Sequence, residues 1–198
     1  GFSPRMGHTS LVYDNKIWVI GGFDDDKSSL IWYWKNDVWY SEDGVNWNKA
    51  TENAAFTPRS DHSSFVYDNK MWVIGGKSGF YAVYSNLMND IWYSEDGITW
   101  NQKMTSECFA PCSGHAALIH QDKMWLIDAF KKIVWCSDGG TEWVQRCGRM
   151  KFIGYSGHES IVYDKKMWVI GGGPHVAPDG NYGVWYSTDG TIWNRTTD

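Results

Sequence analysis

Four histidines recur along the chain, His8, His62, His115 and His158, spaced 54, 53 and 43 residues apart. Imidazole nitrogens gathered at one point could ligate a metal. A residue that returns once per repeat is equally what a structural hydrogen bond produces, and that is the expectation adopted for these four. The four cysteines offer a second chemistry. Cys108 and Cys112 stand as Cys-x-x-x-Cys, while Cys136 and Cys147 lie in or near one hairpin. A zinc site wants Cys pairs with further Cys or His at matching spacing, and only the first pair comes near it. Free thiols or one local disulfide are expected, with no metal and no cofactor. There is no Gly-rich phosphate loop before a helix, no nucleophile elbow and no His-Glu-x-x-His, so no catalytic residue is assigned.

The elements that must position these residues are repeats. Residues 4–22 read PRMGHTSLVYDNKIWVIGG and residues 58–76 read PRSDHSSFVYDNKMWVIGG. Further copies fill 111–129 (PCSGHAALIHQDKMWLIDA) and 154–172 (GYSGHESIVYDKKMWVIGG). Each is followed by a variable stretch and a second block, NDVWYSEDGVNWNKAT in the first copy. The repeats span about 4–51, 58–104, 111–147 and 154–197, a period near that of propeller blades. Each copy parses as four short strands. Strand A follows the histidine, strand B is Ile17–Ile20 in the first copy, strand C is 37–40, and strand D is centred on Trp47. Asp and Asn in the A–B turn tolerate left-handed geometry. No helix-period segment of useful length occurs, so the chain is predicted to be all-β, sixteen strands in four blades. Twelve of the fourteen Trp occupy three repeated positions and are expected in the core: 18, 72, 125 and 168; 39, 92, 135 and 185; 47, 100, 143 and 193.

Four apolar residues, a Gly pair, then a spaced aromatic and Trp resemble the kelch motif, matched in copies one, two and four and degraded in the third. There, Asp128-Ala129 replaces the Gly pair and Cys136 replaces the strand C Tyr. The resemblance implies a β-propeller of kelch-like four-stranded antiparallel blades, residues 1–198 forming a single propeller domain. It also implies that the B–C and D–A loops share one face, which commonly binds. The Ser-x-Asp-Gly-x-x-Trp block resembles the Asp-box of sialidases, one residue shorter, whose Asp folds back on its hairpin. The five Arg do not recur as a carboxylate-binding trio. Galactose oxidases and sialic-acid epimerases are kelch-type enzymes, so the alternative to a binding module is a carbohydrate-active or metal-dependent enzyme fragment of that type.

The net charge of −5 argues against a nucleic-acid partner. No apolar run approaches the roughly 18 residues of a membrane span. The compartment stays open, with a secreted or cell-surface setting favoured. What the repeat leaves unexplained is B–C loop content: 23–36 holds Asp24, Asp25, Trp32 and Trp34, 77–89 holds Phe80, Tyr81 and Tyr84, and the fourth loop ends at Tyr182. The third loop is nearly absent, since Trp125 and Trp135 are only 10 apart. Long loops on a rigid scaffold tend to carry function. These eight residues are therefore predicted to form one binding face for a protein segment or a glycan, unless they pack beneath their loops or extend strands B and C. A closed ring of four blades is expected. If the blades do not close, the Trp-rich flanks of the first and last blades would be exposed, and the chain would be a fragment or would pair with a second copy.

Overall fold

Short β-branched and aromatic runs separated by two-residue turns pair with their nearest neighbour in sequence. The computed structural model describes residues 1–25, 32–79, 86–106, 108–147, 158–171 and 183–196. Among them it has sixteen strands and no helix, so none is long and apolar enough to cross a membrane. Blade one is β1 (Thr9–Tyr13), β2 (Lys16–Asp25), β3 (Trp32–Ser41) and β4 (Asn48–Thr51). Blade two is β5 (Ser63–Tyr67), β6 (Lys70–Ser78), β7 (Asn86–Ser94) and β8 (Asn101–Gln102). Blade three is β9 (Ala116–His120), β10 (Lys123–Asp128), β11 (Ile133–Ser137) and β12 (Trp143–Cys147). Blade four is β13 (His158–Tyr163), β14 (Lys166–Gly171), β15 (Val184–Ser187) and β16 (Asn194–Arg195). Each is an antiparallel sheet in chain order. All four A–B turns place two non-glycine residues at positive φ, Asp14 and Asn15 at 49° and 55° in the first. That is the twist-compatible hairpin turn Asp and Asn allow.

The chain divides into two compact units of two blades each: Gly1–Met104 with Pro111–Ser113, and Thr105–Ala110 with Gly114–Asp198. In the first unit, Trp18 Nε1 donates to Tyr13 O across its own turn at 2.9 Å, which fixes the ring. The ring then lies on blade two where a β-carbon at Gly97 would meet it at 2.1 Å. Tyr13 Oη donates to Asn69 O at 2.8 Å and Glu95 O at 3.1 Å, tying blade one to blade two. The second unit repeats the design with other chemistry. Trp125 donates to His120 O at 2.9 Å, and its ring occupies the space a β-carbon at Gly190 would need. His120, standing where blade one has Tyr13, reaches Thr188 O at 3.2 Å. Leu118, Ile127, Cys136, Met167 and Val169 fill the core around it. Of the twelve repeated Trp, seven are buried and five, Trp39, Trp47, Trp92, Trp135 and Trp168, are partly buried.

A further repeat locks strands C and D from outside. Phe2 and Phe56 stand three residues before Arg5 and Arg59 and pack edge-on against Trp47 and Trp100, centroids 4.9 and 5.1 Å apart. Phe109 meets Trp143 in the same way at 5.2 Å. The two arginine side chains are buried. Arg59 forms a two-pronged pair with Asp90 at 2.7 and 2.7 Å and also donates to Gly75 O at 2.8 Å. Arg5 does likewise with Asp37 and Gly21 O. Copies three and four lose both partners together, with Cys112 and Tyr155 for the Arg and Ile133 and Gly183 for the Asp. A buried charge stripped of its partner costs about 3–5 kcal/mol, whereas an apolar replacement of both is often near neutral. Arg59→Cys is therefore expected to lower stability by that amount in urea unfolding. Adding Asp90→Ile, the third blade's combination, is expected to restore more than half of it. A double variant as unstable as the single one contradicts this reading.

Candidate ligand-binding face

The candidate face is built on the glycine pairs. Strand β2 shifts register between Ile20 and Gly22, where Gly21 and Gly22 take φ of 58° and 96°. Here the backbone needs both positive φ and bare space. A β-carbon on Gly22 would lie 2.9 Å from Met6 O and His8 Cβ, and one on Gly21 would lie 3.0 Å from Arg59 O. Into that space comes the entry segment of the next blade. Gly22 N donates to Arg59 O at 2.8 Å and Arg59 N to Lys35 O at 3.0 Å. Blade two repeats the arrangement, with Gly76 N donating to Cys112 O at 2.8 Å and Cys112 N to Met88 O at 2.9 Å.

Beyond each bulge, strands B and C continue as a two-stranded ribbon. In blade one Gly22 pairs with Lys35, Phe23 with Trp34, Asp24 with Tyr33 and Asp25 with Trp32. In blade two Gly76, Lys77 and Ser78 pair with Met88, Leu87 and Asn86. The first B–C connection thus has less loop than its sequence suggests, because cross-strand pairs extend the ladder. Phe23 and Trp34 stack with centroids 5.3 Å apart. On the other side Lys35 Nζ lies 2.8 Å from Asp24 Oδ2, and Ser3 Oγ donates to the same oxygen at 3.4 Å. Asp24 Oδ1 is buried without a hydrogen-bond donor among the described residues. At the ribbon's root a cleft of about 300 Å³ is lined by Trp34, Lys35, Asn36, Asp37, Glu52 and Asn53. The Asn36 amide donates to Ala54 O and Phe56 O at 2.9 and 3.2 Å, holding the D–A connection against it.

Of the predicted site residues, Asp24 and Trp34 sit on this ribbon, and Asp25 and Trp32 close its described end in backbone register. Phe80, Tyr81, Tyr84 and Tyr182 lie outside the described residues. The third blade has no ribbon. Asp128 Oδ1 instead accepts from Lys131 N at 2.9 Å, capping a four-residue turn with Lys132 at φ 61°. Sequence reasoning missed Lys35, Asn36 and Glu52. The signal available was the position of Lys35 and Asn36 between the aromatic loop and strand C; Glu52, just after strand D, carried none.

His62 Nε2 lies 2.8 Å from Thr9 Oγ1 in the preceding blade. Among the described residues no three of His, Cys, Asp or Glu gather as a metal site, and none of the four cysteines forms a disulfide. Asp43, Asp96 and Asp189 fold back onto their own hairpins, each accepting two backbone N–H groups, at 2.8 and 2.7 Å for Asp43. Those bonds hold the Asp43 carboxyl far below the usual range. Burial pushes the Asp37 and Asp90 carboxyls up. Hydrogen bonds from Arg5 and Arg59, with those guanidinium charges and the Trp39 and Trp92 indoles, outweigh that and leave both low.

Four-stranded antiparallel blades with a bulged glycine pair after strand B and a Trp in strand C define a kelch β-propeller fold. Residues 1–172 match the KLHDC2/KLHL20/DRC7 Kelch-repeats domain model, and the chain belongs to the kelch-repeat domain family. It is 40% identical over 78 residues to the tRNA wybutosine-synthesizing protein 2/3/4 of Oryza sativa subsp. japonica, covering 38% of this chain and 7% of that protein. It is 25% identical over 140 residues to human host cell factor 2, covering 62% and 17%. The chain spans less than a fifth of the length of these curated relatives. The solved structure of YjhT superposes with a TM-score of 0.74 at 18% identity, over 98% of this chain and 71% of that one, a likeness of fold.

The lowered Asp37 and Asp90 carboxyls fix the sign of the acid response. Their stabilisation is fully present above the unfolded-state value near 3.9 and is lost as pH falls through the lower folded-state values. The melting temperature is expected to hold between about pH 7 and 5 and to fall steeply below about pH 4. Asp90→Asn should lower it at neutral pH and flatten that acid fall. An unchanged acid slope in the variant contradicts the assignment.

Proposed function

We propose that the chain is a non-catalytic recognition module that binds a basic protein segment across its ribbon-bearing B–C face. Kelch propeller domains generally mediate protein–protein interactions, and the proposal takes residues 1–198 to act as one such domain. The observation that carries the ligand chemistry is the blade-one ribbon. The tilted Phe23–Trp34 pair offers apolar surface, and Trp34 shares the 300 Å³ cleft at the ribbon's root with the carboxylates of Asp37 and Glu52. Aromatic surface next to carboxylates suits an aliphatic stem ending in ammonium or guanidinium. Asp25 and Asp26 add to the negative potential. In this reading Trp32, Trp34, Phe80, Tyr81, Tyr84 and Tyr182 form the apolar floor, with Asp24 and Asp25 at its acidic rim. A second copy of the chain is among the protein partners the reading admits.

The test is Trp32→Ala with Trp34→Ala, screened against peptide and glycan arrays alongside the unaltered chain. Lys- or Arg-containing peptides are the expected hits, weakened at least about tenfold by the double change, with the melting temperature held within a few degrees. Hits confined to glycans replace the protein ligand with a glycan. Hits that survive the double change, or a collapse of the melting temperature, remove the binding face.

A further inference from the structure

The tip of the C–D hairpin is built one way in blades one, two and four and another way in blade three. In the former a serine hydroxyl donates to an aspartate two residues on. Ser41 reaches Asp43 and Ser94 reaches Asp96 at 3.0 Å, and Ser187 reaches Asp189 at 3.1 Å. The same carboxylate accepts two backbone N–H groups, those of Val45 and Asn46 in blade one. Blade three reads SDGGTEW where blade one reads SEDGVNW, so Gly139 stands in the place of Asp43. The serine is kept without its partner. Ser137 is 2% exposed, and its hydroxyl is buried with no hydrogen-bond partner among the described residues. A buried hydroxyl left unbonded is costly, so its retention points to a partner from elsewhere.

Two further departures from the repeat fall beside it. Cys136 replaces the strand C tyrosine, whose ring packs on the strand B Trp in the other blades, at centroid distances of 5.3, 5.3 and 5.1 Å. Arg146 replaces Ala50, Lys103 and Thr196, and its Nε donates to Cys136 Sγ at 3.0 Å. An Arg held at Nε presents its two terminal nitrogens to an anion. Cys136 and Arg146 line a cleft of about 230 Å³ together with Lys123, Ser137, Thr141 and Glu142. The last three are the counterparts of Ser41, Val45 and Asn46, the residues that hold the carboxylate in blade one. Asp138 also faces the cleft but pairs with Lys123 at 3.3 Å. Glu142 is exposed, where water and salt screen its charge.

We propose that blade three binds the carboxylate of a short-chain organic acid in this cleft, where the other three blades supply an aspartate of their own. Ser137 Oγ donates to one carboxylate oxygen, as Ser41 does to Asp43, and the Arg146 guanidinium pairs with the other. The Gly139-Gly140 turn, both residues at positive φ and without side chains, yields to admit the acid to the buried hydroxyl. The cleft is smaller than the roughly 300–1,000 Å³ of sites for drug-sized ligands, which sets the size of the acid. The matching hairpin of blade one favours carboxylate charge, holding the Asp43 carboxyl far below the usual range.

The probe is sodium acetate against sodium chloride at equal ionic strength, followed by NMR shifts of backbone amides and arginine Nε. The unaltered chain is expected to show saturating shifts at the Thr141 and Glu142 amides and at Arg146 Nε, with a Kd of roughly 1–50 mM. Arg146→Gln alters an exposed side chain; it should stay folded and weaken acetate at least about fivefold. Gly139→Asp supplies the carboxylate from the chain itself, in a turn geometry Asp tolerates, and acetate should then leave these signals unmoved. Shifts that do not saturate by about 200 mM acetate, or that persist unchanged in either folded variant, overturn the proposal. Inorganic phosphate saturating the same signals at lower concentration than acetate overturns it in favour of a tetrahedral anion.

Discussion

Everything above the blades rests on one close approach, the entry segment of one blade lying against the glycine pair of the blade before it. At Gly21 and Gly22 the space is too small for any side chain, and the backbone is bent into left-handed geometry. That space lets Arg59 exchange backbone hydrogen bonds with Gly22 and Lys35. It thereby anchors three things at once: the end of the sheet, the next blade and the root of the aromatic ribbon. Cys112 makes the same two backbone bonds, with Gly76 and Met88. Where the pair is lost, at Asp128-Ala129, the ribbon is lost with it and a capped turn takes its place. Ribbon and blade contact are therefore properties of the same few atoms.

Around that approach the repeats keep functions while changing residues. A side chain at the end of strand A must reach a carbonyl of the following blade, and Tyr13 and His120 both do so. A strand B Trp must be held flat over a hairpin glycine, and its bond back across the A–B turn recurs at 2.9 Å in all four blades. The Arg–Asp pair, by contrast, is kept or dropped as a unit. Half of such a pair is worse than none in a buried site.

Much of the fold was legible because its signals are local. Two-residue turns, alternating strands and the recurring Trp each declare themselves within about ten residues. The entry phenylalanines escaped notice because Phe56 and Phe109 lie in the variable D–A connections and Phe2 lies ahead of the first repeat. Their partners Trp47, Trp100 and Trp143 are more than thirty residues away. The candidate site was half legible. Its aromatic and acidic content stood out, but polar strings such as FDDD and YWKN show no apolar alternation to mark them as paired strands. Only the register of Phe23 with Trp34 and Asp24 with Tyr33 shows that the ladder runs through them.

A ribbon mounted on a docked glycine bulge is preorganised at its root. The central claim, that the glycine-pair contact anchors both blade and ribbon, is tested most directly by amide hydrogen exchange. The Gly22 and Gly76 amides, bonded to Arg59 O and Cys112 O at 2.8 Å, should exchange only with global unfolding, well after those of Asp25 and Ser78 further along the same strands. Gly22 and Gly76 amides exchanging as fast as those two would contradict the account.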